Sequence, residues 1–435
     1  MYQKWIKIGL EKGLTDIEIH ANSKTNLSIE VYDGKVKSNE ISDIKNMVVK
    51  GIYDNKEAMI KIENLSDENI NKMLDYLVEN LKNITATEPS LIFEGSKKYP
   101  QVNEEIFDFK SIDPTKKVEL LLEIENKIAK NKKVSKVETA AYSESLNENI
   151  IVNSKGLNLS RKYAYATIYA VGIYQEEGQI KTGLSYQVVK DFNKISAKKI
   201  IRENIKNGSE KLGSKSIASK SYPVVFSNEM FGNILASFLH IFTGDAAFKK
   251  QSKLIGKENE KIASPIVNLI DDPLNSKALF KVPFDDEGVA CKKKHLIKDG
   301  KFNGFIHNLK TAAIFKTKPT GNGFGSSVDA ANLYLKPENK TFNQLIEDIE
   351  SGIYITELVG LHAGIDSISG DFSLQAAGFE IKEGKILRPV DMIVVSGNFF
   401  DLLNDIEGIA KDFIFGLSGI GSGSVRVKKL TIAGQ

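Results

Sequence analysis

Apolar and polar positions change rhythm several times along the chain, and each rhythm predicts an element. Trp5, Ile6, Ile8 and Leu10 give residues 1–14 the apolar content of a short helix. Leu27, Ile29 and Val31 then alternate with polar residues, and Asp33-Gly34 predicts a hairpin turn into a strand at 35–38. Segments 47–53 and 58–62 predict a second hairpin around Asp54-Asn55. Ile70, Met73, Leu74, Leu77, Val78 and Leu81 recur at i, i+3, i+4, i+7, i+8 and i+11, the stripe of a helix laid on a sheet. Ser66 is its N-cap, with Asp67 and Glu68 suited to its first turn. These elements close a first α+β subdomain, residues 1–83.

Residues 84–112 carry Pro89 and Pro100, lack periodicity and read as a connecting segment. Asp113-Pro114 is an N-cap followed by proline at the first helical position, so a helix runs from there to about Lys130. Strands are predicted at 134–144, 148–153, 157–174 and 183–190, with Asn153-Ser154-Lys155-Gly156 as a turn. Tyr163, Tyr165, Thr167 and Tyr169 alternate with Ala164, Ala166 and Ile168, a period of two. A helix over 194–212, stopped at Gly213, closes a second α+β subdomain, residues 113–213. Both halves of residues 1–213 run helix–strands–helix, although their sequences show no self-similarity. Beyond the Ser/Lys-rich stretch 215–222 the chain has many short strands, frequent glycines and one clear helix, near 343–351. The fold class is therefore α+β: an N-terminal α+β region with helices on an antiparallel sheet, then a C-terminal β-rich domain of curved strands, residues 222–435.

Composition narrows the function. A chain of 435 residues, 41% hydrophobic and 26% charged, can build two or three domains with sizeable cores. The net charge of +3 argues against a dedicated nucleic-acid binder, which concentrates basic residues on one face. The single cysteine, Cys291, excludes an intrachain disulfide and fits a reducing compartment. The amphipathic start has no signal-peptide apolar run, and no stretch approaches the roughly 20 apolar residues that cross a bilayer. A soluble cytoplasmic protein with no membrane role is expected.

The chemistry-bearing residues are sparse. His20, His240, His295, His307 and His362 include no pair at metal-ligand spacing, and there is no H-E-x-x-H and no C-x-x-C. His240 sits among Leu235, Phe238, Leu239, Ile241 and Phe242, in a predicted helix from Asn228 to about Phe242. Asp285-Asp286-Glu287-Gly288 is the densest carboxylate cluster. Three acids can hold a hard cation or supply a general base, but neighbours on an extended segment point apart, which favours a turn built on Gly288. Gly416, Gly419, Gly421 and Gly423 lack the ending of a phosphate loop. Lys292-Lys293-Lys294-His295 has no interleaved aromatics for base stacking and reads as a solvated strand edge or turn. Cys291 beside these lysines has no evident base partner and reads as an ordinary thiol.

Several short motifs, in order, carry a resemblance. They are residues 222–226; 238–252 with Thr243-Gly244-Asp245; Val282-Pro283-Phe284-Asp285-Asp286-Glu287-Gly288; Pro319-Thr320-Gly321-Asn322-Gly323; Leu361-His362-Ala363-Gly364; Gly370-Asp371-Phe372-Ser373; and Gly378-Phe379-Glu380-Ile381. With these motifs the chain resembles the TldD/PmbA family, older descriptions of which speak of a modulator of DNA gyrase. The resemblance implies two branches that form a heterodimer. The TldD-type subunit is similar to a zinc peptidase with an H-E-x-x-x-H helix and a cysteine ligand near its C-terminus. The PmbA (TldE) type lacks these.

Registered on Gly244-Asp245, this chain has His240 at the second histidine of that helix, Leu235 at the first and Ala236 at the glutamate. Residues 416–435 contain no cysteine. Zinc hydrolysis takes about three protein ligands, an activated water and a carboxylate to accept its proton. Histidines at i and i+5 also stand roughly 140° apart on an ideal helix, so such a site needs a widened turn or a helix end. The resemblance therefore implies a non-catalytic subunit with no metal of its own, His240 being a remnant, and zinc on a TldD-type partner. It implies a heterodimer or a homodimer acting on peptides. Gly321, Gly323, Gly370, Asp371 and Phe372 are the candidate peptide contacts, through strand addition at a glycine-softened edge. Two alternatives stay open at this point: a self-sufficient hydrolase with relocated ligands such as His240, His362 and Asp245, and a binding protein acting on gyrase or DNA.

Overall fold

The computed structural model describes residues 1–85 and 91–435; Pro89, read above as part of the connecting segment, lies outside the described residues. The chain divides into two compact units, Met1–Ser96 with Asn103–Gly213, and Lys97–Val102 with Ser214–Gln435. Among the described residues no helix is long and apolar enough to cross a membrane.

The first unit comprises α1 (Tyr2–Glu11), β1 (Asp16–Tyr32), β2 (Lys35–Tyr53), β3 (Lys56–Ile62), α2 (Asp67–Asn83), α3 (Pro114–Ala129), β4 (Val134–Asn153), β5 (Asn158–Glu176), β6 (Gln179–Val189) and α4 (Ala197–Ser209). Its six strands form one antiparallel sheet in the order β3-β2-β1-β4-β5-β6. Residues 1–83 and 113–213 thus share a single sheet, joined where β1 pairs with β4. The order α-β-β-β-α occurs twice, and the two copies meet at that central ladder.

Local chemistry fixes the turns and caps. Asp33 and Gly34, and likewise Asp54 and Asn55, hold positive φ, the backbone of two-residue hairpins that match strand twist. Ser66 Oγ accepts from Asn69 N at 3.3 Å, and Asp113 Oδ1 from Thr115 N at 2.9 Å. Two helix readings shift. Leu10 stays exposed, while Trp5 and Ile6 carry the burial of α1. The predicted helix 194–212 is a 3-10 turn at Phe192–Lys194 followed by α4.

The strands outrun their apolar alternation. β2 continues through 39–46 and β4 runs unbroken across 145–147. There cross-strand amides replace packing: Asn149 Nδ2 donates to Asn22 Oδ1 at 2.6 Å, and Asn22 Nδ2 to Asn46 Oδ1 at 3.4 Å. The opposite face carries the helices. Ile17 and Ile19, at one end of β1, are buried in the core under α1 and α2, whereas Leu27 and Ile29, at the other end, are buried in the core under α3 and α4. Two separate cores therefore lie on one sheet face.

The second unit comprises β7 (Lys220–Phe226), α5 (Asn228–Phe238), α6 (Gly244–Phe248), β8 (Leu269–Asp271), β9 (Lys294–Lys298), β10 (Lys301–Phe302), α7 (Leu309–Ile314), β11 (Gly323–Phe324), β12 (Ser327–Val328), β13 (Leu333–Leu335), α8 (Phe342–Ile346), β14 (Ser351–Val359), β15 (Asp371–Lys382), β16 (Lys385–Asn398), α9 (Phe399–Asn404), β17 (Ile406–Ile409), β18 (Ile414–Phe415), β19 (Ile420–Ser422) and β20 (Val425–Ala433). Strands run β16-β15-β14-β7-β20-β17, and β16 also pairs with β20, which closes five of them into a ring. A second sheet runs β10-β9-β8-β13-β19-β18. Helix α5 packs against β7 and β14 of the ring and against β18 and β19 of the second sheet, inside the largest apolar core. The helix expected near 343–351 is shorter, because β14 begins at Ser351.

Candidate functional site

Helix α5 starts on Ser227, whose Oγ accepts from Met230 N at 3.3 Å while its own N–H donates to Ile355 O at 2.9 Å. The helix buries a broad apolar face, Met230, Phe231, Ile234, Leu235 and Phe238, and turns Glu229, Asn233 and Ser237 away from it. Phe238 stacks on Phe399 with ring centroids 4.3 Å apart, and there the helix tightens into a 3-10 turn, Leu239–Phe242. The sequence expectation of one helix to Phe242 is corrected by that change of pitch, which falls between positions 235 and 240.

The side chains at the three registered positions go different ways. Leu235 is 2% exposed and belongs to the core, and Ala236 packs against the same core. His240 is exposed, its Nε2 3.4 Å from Gln251 Oε1. A buried leucine, a methyl group and a surface imidazole do not fit a zinc centre. Among the described residues no three His, Cys, Asp or Glu side chains gather as a metal-holding group, His240, His362 and Asp245 included.

The Thr-Gly-Asp turn has a structural reason. Thr243 Oγ1 donates to His240 O at 2.8 Å and accepts from Ala246 N at 3.2 Å, so it ends one helical turn and caps the next. Gly244 N donates to Ile306 O at 2.8 Å, and a Cβ there would run into His307 Nδ1 and Thr311. His307 is buried, with Nδ1 3.2 Å from Thr311 Oγ1 and its N–H donating to Thr320 Oγ1 at 2.7 Å. Burial holds His307 below the usual imidazole range, and the charge of Asp245 opposes that.

Around it lies a buried polar network. Asp285 Oδ1 accepts from Glu287 N at 3.0 Å and Val289 N at 2.8 Å, and Oδ2 from Gly323 N at 2.8 Å. Asp286 Oδ2 accepts from Gly325 N, and Glu287 Oε2 from Leu309 N at the start of α7. Gly288 has φ +80°, so the three acids do form a turn, with Asp285 and Asp286 tied to the 323–325 segment and Glu287 to the start of α7. Burial pushes the Asp285 carboxyl up to about 7 despite its three N–H donors. Asp271 is fully buried as well. Its Oδ1 accepts from Ala331 N and Asn332 N, both at 3.1 Å, and its Oδ2 from Lys294 Nζ and Asn322 Nδ2, both at 2.9 Å.

The basic run is correspondingly more than a solvated edge, since Lys293 pairs with Asp272 at 3.0 Å and Lys294 with Asp271. Cys291 is buried and donates to Gly321 O at 3.2 Å. Asp271, Asn332 and His307 had drawn no functional reading. The sequence signals near them were Thr243-Gly244-Asp245, beside His307, the basic run with Lys294, and the Pro319–Gly323 motif, whose Thr320 Oγ1 donates to Asn322 Oδ1 at 2.8 Å.

The candidate peptide contacts fall in two places. Gly321 and Gly323 are buried under the 285–291 turn, close to Ala290 and Glu287 respectively. Gly370, Asp371 and Phe372 lie at the start of β15. Asp371 is exposed and accepts from Asn398 Nδ2 at 2.8 Å, while Phe372 is a core residue 6.5 Å from the Phe238 ring. Over 371–374 one strand edge pairs with β16. The other is met by the chain itself, with Ser373 N donating to Gly364 O and Asp366 N to Asp371 O. That edge is already occupied.

Comparison with known proteins places this geometry. Residues 219–434 match the model of the PmbA/TldA metallopeptidase C-terminal domain, and residues 107–212 that of the central domain. The chain is 22% identical over 431 residues to the metalloprotease PmbA of Escherichia coli, covering 98% of this chain and 94% of that one. It is 24% identical over 429 residues to a PmbA homolog of Buchnera aphidicola, covering 96% and 93%. A crystal structure of a proposed modulator of a DNA gyrase from Thermotoga maritima superposes with a TM-score of 0.92 at 28% identity, covering 99% of both chains. TldE from Thermococcus kodakarensis shares the fold, with a TM-score of 0.91 at 21% identity and 99% of both chains covered.

Proposed function

The chain belongs to the PmbA/TldD metallopeptidase family, and from that premise we propose that it is the non-catalytic, PmbA/TldE-like subunit of a cytoplasmic zinc peptidase complex. The observation that carries the reading is Leu235: where the family's catalytic branch has a first ligand, this chain has a side chain 2% exposed in its largest core. Ala236 offers no carboxylate to accept a proton from water. A TldD-type partner supplies the zinc and the general base.

This chain then contributes enclosure and shape. Paired with the partner, it forms part of a chamber that admits unfolded or small peptides and excludes folded proteins. The polar network of Asp271, Asp285 and His307 serves that role by fixing the loops of the second unit in one arrangement, since fully satisfied buried hydrogen bonds favour a single conformation. With the edge of residues 371–374 occupied, strand addition of the peptide is not assigned there.

The test is a peptidase assay on unfolded peptides with this chain alone, a TldD-type subunit alone, and the two mixed. Activity confined to the mixture is expected. Hydrolysis by this chain alone, or stoichiometric zinc on it, would sink the proposal and favour a self-sufficient hydrolase. Salt-sensitive DNA binding by the isolated chain would favour the gyrase-directed reading instead.

A further inference from the structure

The six-stranded sheet of the first unit ends in two unlike edges. On β6 the edge is covered from within the unit: Asn207 Nδ2 donates to Leu184 O at 2.8 Å and Lys211 Nζ to Thr182 O at 3.1 Å. On β3 the edge is open. Tyr53 pairs with Lys56 across the two-residue turn Asp54-Asn55, which makes theirs a hydrogen-bonded pair and fixes the phase of the ladder. Ala58, Ile60 and Ile62 therefore bond to β2, while the N–H and C=O groups of Glu57, Met59 and Lys61 point outward. No described residue meets those outward groups.

The outward residues place an acid, a methionine and a base in a row on the sheet face away from the helices. Met59 is exposed. Glu57 meets Lys50 through Oε2 at 2.9 Å, and Lys61 meets only the exposed Glu63, at 2.8 Å. Charges on an edge strand ordinarily resist pairing with another chain. One antiparallel arrangement escapes that. With Met59 opposite Met59 of a second copy, Glu57 faces Lys61 of that copy and Lys61 faces its Glu57. On the other face Ala58 then faces Ile60, both of which pack against the core under α1 and α2. Sliding the copies by two residues loses the match. One slip sets Glu57 opposite Glu63 and the other sets it opposite Met59, and further slips oppose Glu57 to Glu57 or Lys61 to Lys61.

We propose that β3 is a self-recognition edge: two copies of this chain pair β3 against β3, antiparallel about a two-fold axis at Met59, and join their six-stranded sheets into one. Each outward-facing pair exchanges two N–H···O bonds, so the backbone supplies the attraction. The Glu57–Lys61 pairs supply the register, since opposite charges directly across a ladder stabilise it and like charges do the reverse. An unrelated strand finds the same backbone groups but not the mirrored charges, which is why the occupant is a second copy. The contact is isologous and closes on itself, so it gives a dimer and not a filament. An interface one strand wide is small, so the dimer is reversible. The inference is independent of the peptidase reading, because β3 lies outside residues 107–212 and 219–434, the segments that match the family's domains.

Sedimentation velocity of the full-length chain, over a micromolar to submillimolar series, should show a reversible monomer–dimer equilibrium. Amide exchange at Glu57, Met59 and Lys61 should slow as concentration rises. Met59→Pro removes an outward N–H without touching the bonds to β2, so it should abolish the dimer and leave the thermal midpoint unchanged. Glu57→Lys and Lys61→Glu should each weaken self-association by about tenfold or more. Mixed together, those two variants again face opposite charges at both pairs, and the mixture should recover the wild-type affinity. That recovery stands by itself if the proline variant is unstable. A monomer throughout the series would overturn the inference. So would a dimer indifferent to Met59→Pro and Lys61→Glu, or a mixture that fails to recover. None of these outcomes bears on the peptidase assay, whose failure would in turn leave the β3 dimer standing.

Discussion

Asp271 offers the sharpest test of the buried network. All four of its contacts are donors: two backbone N–H groups on Oδ1, and Lys294 Nζ with Asn322 Nδ2 on Oδ2. In Asp271→Asn the new NH₂ group must face one of those pairs, so rotation of the amide relieves nothing. Two buried donors lose their acceptor, at about 1–3 kcal/mol each. Lys294 loses its carboxylate as well, but it is 18% exposed and can recover some solvation. These terms overlap and are not additive, and a loss of about 4 kcal/mol is expected. For a unit of this size each kcal/mol lowers the midpoint by about 2–4 °C, so the transition should fall by about 8–16 °C. Differential scanning calorimetry of the full chain reads it, with Lys294→Met as the companion variant. A shift under about 2 °C for Asp271→Asn would show that the network does not hold the second unit together.

Two further outcomes follow from the same region. Burial raises Asp285 from 3.8 to about 7, so the folded state binds its proton more tightly than the unfolded chain. The stabilising contribution is complete below about pH 4 and is lost as pH rises through about 7, at up to roughly 1.4 kcal/mol per pH unit. Urea midpoints between pH 4.5 and 7.5 should show that slope in the wild type and a flatter profile in Asp285→Asn; parallel profiles would refute it. Gly244→Ala should cost about 1–3 kcal/mol, because the methyl group meets His307 and Thr311. A melting midpoint equal to the wild type would mean that the turn yields without strain.

How much of this was legible depended on where the information lay. Local signals read true: the Asp33-Gly34 turn, the Ser66 and Asp113 caps and the stripe of α2 are short-range matters of backbone and period. Joining residues 1–83 to 113–213 in one sheet was not readable, because the ladder that joins them passes through Asn22, Asn149 and Ser145, which carry no apolar alternation. The family register of His240, Leu235 and Ala236 was available from sequence, but the change of helical pitch between them was not, and it falls where Phe238 stacks on Phe399, 161 positions later. Asp271 shows the same limit. Asp271-Asp272-Pro273 looks like a surface turn, and only the return of residues 322 and 331–332 makes it an interior anchor.

The doubled α-β-β-β-α order of the first unit bears on how the protein is made. Each apolar core draws on both halves: Leu27, Ile29 and Val31 of β1 lie in the core under α3 and α4, and Val152 of β4 lies in the core under α1 and α2. The seam between them is not local: Asn153 Nδ2 reaches Glu18 across 135 positions, and Asn149 reaches Asn22 across 127. During synthesis residues 1–83 can condense around Trp5, Ile17, Leu74 and Leu77, while Leu27, Ile29 and Val31 of β1 wait for the helices and strands of the second half. That edge is long, and Glu18, Lys24 and Glu30 along it are charges of the kind that disfavour pairing with a second chain.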